Sequence, residues 1–130
     1  MAAPGGVSLA RKLGIGPGAR VAALGAPAGF SERLEDTPLA GRLRGSFDVI
    51  VAFAPTLAVL ERRIERSIAA LEPRGRLWVA WPKRSSALAS DLDDRVVRER
   101  MLMTGLVDNK VCAIDETWSA LCFVRRLRPR

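Results

Sequence analysis

Three short apolar runs, each followed by a turn and then a helix-forming segment, constrain this chain more than any other feature. Residues 20–24 (RVAAL), 47–53 (FDVIVAF) and 76–81 (RLWVAW) have strand length and composition. The middle run is almost continuously apolar, as expected of a parallel strand covered on both faces. Between the second and third runs, Leu57, Leu60, Ile64, Ile68 and Leu71 recur at intervals of three and four, which predicts an amphipathic helix over 56–72, stopped by Pro73-Arg74-Gly75. Alternation of this kind leads to a parallel sheet with right-handed crossovers and helices on both faces.

The remaining elements fit around that frame. Ser8 to Leu13 reads as a short helix, with Gly14 placed to end it in the left-handed conformation. A second short helix is expected from Phe30 to about Leu34. Residues 35–46 are polar and punctuated by glycine, and read as irregular. Ser90 and Asp93 resemble a capping box opening a helix over 91–104, ended by Gly105. Strands near 110–114 and 118–127, joined by Asp115-Glu116-Thr117, form an antiparallel hairpin. The expected architecture is one three-layer, Rossmann-like α/β domain over residues 7–127, with about five strands. Residues 1–6 are expected to be a disordered tail and 128–130 a basic end.

Composition removes several function classes. The 130 residues contain no histidine, which excludes Ser-His-Asp and Cys-His triads, His-bound zinc and a histidine general base. Cys112 and Cys122 are too few for a disulfide framework, lack metal-ligand spacing, and lie in apolar runs, where free cysteine behaves as a small hydrophobe. No apolar run approaches the roughly 18 residues of a membrane span, and no signal peptide precedes the first helix, so a cytoplasmic protein is expected. The formal charge is +7, but four arginines fall in the last six residues, and aromatics are only 5%. Nucleic-acid binding is therefore a minority reading beside a solvated basic terminus.

Several stretches carry a resemblance. Leu13-Gly14-Ile15-Gly16-Pro17-Gly18-Ala19-Arg20-Val21-Ala22-Ala23-Leu24-Gly25 resembles the entry to the first strand of class I S-adenosylmethionine-dependent methyltransferases. Phe47–Phe53 resembles their fourth strand, and Leu71-Glu72-Pro73-Arg74-Gly75-Arg76-Leu77-Trp78-Val79 the approach to their fifth. The closing hairpin is similar to their sixth and seventh. The chain departs from that family in having only 35–46 where two further β-α units would stand. The second strand of that family ends in an acidic residue that holds the cofactor ribose. The resemblance thus implies a truncated fold, with strand order 1-4-5-7-6 in family labels. No cofactor is expected, with S-adenosylmethionine as the alternative ligand. Trp78-Val79-Ala80-Trp81-Pro82-Lys83 and Asp115-Glu116-Thr117-Trp118-Ser119 also look like stretches of a family of small bacterial proteins of unknown function.

Ligands of open α/β sheets bind at the carboxyl ends of the strands. Four loops are expected there: 25–29, 53–56, 81–86 and 115–118. Gly25 and Gly29 would bring backbone N–H groups to an anion or simply permit a tight turn. Pro55 lies in the second of these loops. Lys83 would bind an anion, act as a base, or pair with Asp115 or Glu116. Those two carboxylates are candidates for acid/base work or for turn capping. Trp81 and Trp118 would wall a flat ligand or cover the sheet edge. Thr117 and Ser119 have no base to activate them. Asp48 is expected to cap or pair at the opposite end, and Glu61–Arg66 to be a solvated helix face. These features favour a non-catalytic module binding a small ligand or a protein, with a small methyltransferase as the alternative. An apolar hairpin at the sheet edge would also allow a homodimer.

Overall fold

Phe47–Phe53 (β3) runs through the middle of the molecule, as its unbroken apolar character requires, with all but Asp48 buried. The computed structural model describes residues 8–34 and 37–126, so the expected tails at 1–6 and 128–130 lie outside the described residues. The other elements are α1 (Leu9–Lys12), β1 (Val21–Leu24), α2 (Phe30–Arg33), β2 (Leu39–Ala40), α3 (Leu57–Ala69), β4 (Leu71–Pro82), α4 (Asp94–Leu102), β5 (Leu106–Ala113) and β6 (Trp118–Arg125). They build one sheet in the order β2-β1-β3-β4-β6-β5. The first four strands in that order are parallel, and β6 is antiparallel to both β4 and β5.

Side chains alternate across the strands to make two cores. Ala22, Ile50, Ala52, Leu77 and Val79 face Leu60 and Ile64 of α3 and Val97 and Met101 of α4. Val21, Val49, Val51, Phe53 and Trp78 face Leu9 and Leu13 around α1 and Phe30 of α2. Each such Leu, Ile, Val or Phe removed from water contributes about 1.5–3 kcal/mol relative to exposure. Both faces of the central strands are thereby stabilised, and the three-layer arrangement follows.

Local chemistry sets the boundaries. Ser8 caps α1 by accepting from the Arg11 N–H at 3.2 Å, and Gly14 follows at φ 77°. Thr56 caps α3 through the Val59 N–H. Asp93 caps α4 through the Val96 N–H at 2.9 Å, so this helix starts at Asp94 rather than 91 and ends at Leu102.

Three further expectations need correction. The sheet has six strands, because Leu39 and Ala40, inside the segment expected to be irregular, pair with Val21 and Ala22. The helix expected to reach residue 72 ends at Ala69, because buried Leu71 already pairs with Phe47 as the first residue of β4. Residues 72–75 form a bulge between that pair and the Val49–Arg76 pair. The strand expected at 110–114 is longer, beginning at Leu106 and bulging between Asp108 and Lys110.

Candidate functional site

β1 and β3 are neighbours whose connections leave in opposite directions. β1 passes through α2 on one face to β2, whereas β3 passes through α3 on the other face to β4. This is the topological switch point, where open α/β sheets form their ligand crevice. Leu24 and Phe53 end the two strands there, followed by Gly25 and by Ala54-Pro55.

Arg63 fills this position. From the middle of α3 its Nη1 donates to the Phe53 carbonyl, and a longer 3.4 Å contact reaches the Leu24 carbonyl. Gly25 sits beneath the guanidinium: a Cβ there would overlap Nη1 and approach Nη2 to 3.0 Å. Gly25 also has φ 68°, a conformation that favours glycine on its own account. No carboxylate among the described residues pairs with Arg63. Burial weakens its hold on its proton relative to an ordinary arginine, and the charges of Arg66 and Arg62 add to the effect. The expectation of a solvated face over residues 61–66 therefore fails at Arg63. Glu61, by contrast, is tied to Arg100 of α4 through contacts of 2.5 and 2.8 Å.

The other candidates lie where the strand ends put them. Gly29 precedes α2, but that helix is a single turn, which leaves little dipole for an anion. Pro55 is exposed beside the N-cap of α3. Lys83 follows β4, its backbone N–H donating to the Thr117 carbonyl at 2.7 Å. Its half-buried side chain makes no ion pair with Asp115 or Glu116 among the described residues. The Asp115 carboxylate instead accepts from the Thr117 and Trp118 N–H groups, both at 2.8 Å, and so closes the hairpin turn. Glu116 is exposed in the same turn.

Trp81 and Trp118 form no common wall. Trp81 stands opposite Ser119, and Trp118 opposite Pro82, so the two indoles project from opposite faces of the sheet. Trp81 joins the core beneath α3 and α4, at 5% exposure. Trp118, at 6%, joins the core on the other face, edge-on to Phe53. Both cysteines are buried, and burial pushes the Cys122 thiol up to about 11. Asp48 accepts from the Arg20 N–H at 2.8 Å at the far end of the sheet. Among the described residues no His, Cys, Asp or Glu cluster is arranged for a metal ion, and no helix is long and apolar enough to cross a membrane.

No family model and no curated protein matches the chain. Solved structures do share its architecture. A ribosomal protein L11 methylase from Lactobacillus delbrueckii subsp. bulgaricus superposes with a TM-score of 0.57 at 14% identity, over 84% of this chain and 70% of that one. The fold is methyltransferase-like. Magnesium protoporphyrin IX methyltransferase from Synechocystis PCC 6803, solved with bound SAM, gives 0.57 at 14% identity, covering 85% of this chain and 71% of its own. The N-methyltransferase NodS from Bradyrhizobium japonicum WM9 gives 0.54 at 15%, covering 81% and 85%. In the labels of the methyltransferase fold, β1-β3-β4-β6-β5 is the order 1-4-5-7-6 expected from sequence. β2 adds two residues beside β1 and is followed by Gly41-Arg42, with no acidic residue at its end.

Proposed function

We propose that the chain is a non-catalytic binding module on a methyltransferase-like fold. The observation that carries this reading is Arg63. Its guanidinium already occupies the switch-point crevice and serves carbonyls at the ends of both flanking strands. A ligand lying on Gly25 would have to displace it, and leaving one buried carbonyl unpaired costs about 1–3 kcal/mol.

Charge argues in the same direction. S-adenosylmethionine carries a sulfonium cation, and the group nearest the crevice is itself a cation with no carboxylate partner among the described residues and with Arg62 and Arg66 nearby. The residues after β2 supply no carboxylate for a ribose. These residues do not fit the cofactor. Among the described residues Asp115 is engaged in its turn, and Thr117 and Ser119 have no adjacent base to make them nucleophiles.

The test is to denature freshly purified protein and analyse what it releases by mass spectrometry, alongside transfer of a labelled methyl group to small molecules and proteins of a cell extract. The expected result is neither S-adenosyl compounds nor transfer above a protein-free control. Stoichiometric S-adenosylhomocysteine, or transfer that scales with protein, would overturn the reading.

A further inference from the structure

We infer that the cleft between α3 and the segment following β2 binds a small phosphorylated anion of about nucleotide size. The inference rests on the reading that the neighbouring crevice is not a cofactor site. The cleft measures about 640 Å3, within the roughly 300–1,000 Å3 typical of small-molecule sites. Arg42 and Arg66 line it from opposite sides, and Leu24, Leu43 and Ala69 supply apolar wall. Leu24 also marks its junction with the crevice, because the Leu24 carbonyl is one of the groups that Arg63 contacts.

The charge distribution singles out this cleft. Among the described residues the lining contains two arginines and no carboxylate. On α3 the acidic residues turn the other way: Glu61 binds Arg100 of α4, and the charge of Glu65 also acts on Arg100. Arg62, Arg63 and Arg66 are left close enough together to depress the proton affinity of Arg63. Like charges gathered in a concavity raise the local concentration of counter-ions. The carbonyl end of α3 would oppose an anion through its dipole. Arg125 offsets this by donating to the carbonyls of Ile68 at 3.1 Å and Leu71 at 2.9 Å. Arginines on two walls suit a phosphate, whose oxygens accept paired, charge-assisted hydrogen bonds from guanidinium groups. The apolar wall suits the rest of a nucleotide-sized molecule.

The test is calorimetric titration of the full chain with inorganic pyrophosphate. Arg42→Ala, Arg66→Ala and the control Arg95→Ala are compared with the unaltered protein, and S-adenosylhomocysteine is titrated in parallel. All three arginines are exposed, so their replacement leaves the fold intact. Pyrophosphate is expected to bind at sub-millimolar concentration, with affinity reduced about tenfold or more by Arg42→Ala and by Arg66→Ala and nearly unchanged by Arg95→Ala. Absence of binding at millimolar pyrophosphate, or equal weakening by all three variants, would overturn this inference alone while S-adenosylhomocysteine stays silent. Binding of S-adenosylhomocysteine would overturn the non-catalytic reading and this inference with it.

Discussion

The guanidinium of Arg63 lies directly over Gly25, in space that any side chain at Gly25 would have to share. The two residues come from different layers, Gly25 from the end of β1 and Arg63 from α3. Their fit closes the switch point from the α3 side. It also explains why a half-buried arginine with no carboxylate partner among the described residues is tolerated: strand-end carbonyls take the place of a counter-ion.

Gly25→Ala should destabilise the protein by about 1–2 kcal/mol from the positive φ alone. Displacement of Arg63 should add to that. The double variant Gly25→Ala/Arg63→Ala should then cost less than the sum of the two single changes, because the second removes the overlap created by the first. Urea unfolding of all four proteins measures the difference. Strict additivity would show that the two residues do not compete for space.

Trp78→Phe should cost about 1–3 kcal/mol in urea unfolding. The fully buried indole donates from Nε1 to the Leu13 carbonyl at 2.9 Å, and phenylalanine would leave that acceptor without a partner. Leu13 terminates α1, so amide exchange should accelerate in residues 9–13 more than in β3. Uniform acceleration, or none, would indicate that α1 is held by apolar contact alone.

Alkaline pH should weaken the fold through Cys122. Its thiol titrates at 9.0 when unperturbed and at about 11 when folded, because burial disfavours the thiolate. The contribution is therefore fully present below pH 9. Between pH 9 and 11 the unfolded chain loses a proton that the folded chain keeps, and stability falls by about 1.4 kcal/mol per pH unit. Tyrosine and histidine are absent and there are three lysines, while the Cys112 thiol, also raised by burial, adds to the loss with the same sign. A series of melting temperatures from pH 8 to 11 should show the decline, and Cys122→Ala should make it shallower. An equally steep decline in the variant would assign it elsewhere.

Much of the architecture was legible because burial leaves a direct trace in residue type. The run 47–53 admits nothing but a covered strand, and the 57–68 spacing nothing but a helix with one apolar face. The strand order came from the resemblance to class I methyltransferases rather than from those elements alone. β2 was not legible: two residues among polar neighbours become a strand only because Val21 and Ala22 offer them hydrogen bonds. The end of α3 was misread because Leu71 continues the helical spacing while its contacts belong to the sheet.

At the candidate site the sequence placed the loops but not the side chains. Whether Trp81 and Trp118 share a face depends on the register of β4 against β6, and one residue of register decides it. Arg63 sits among other charged residues, and composition does not distinguish the arginine that turns toward the strand ends from those in solvent. A hint was available in Gly25, a glycine directly after a buried strand, which permits close approach by another group.

Calorimetric titration with S-adenosylhomocysteine decides whether the switch-point crevice, with Arg63 in it, serves S-adenosylmethionine chemistry. The expected result is no detectable binding at millimolar ligand. A micromolar dissociation constant, equivalent to about −8 kcal/mol, would contradict it and would mean that Arg63 moves aside for the cofactor.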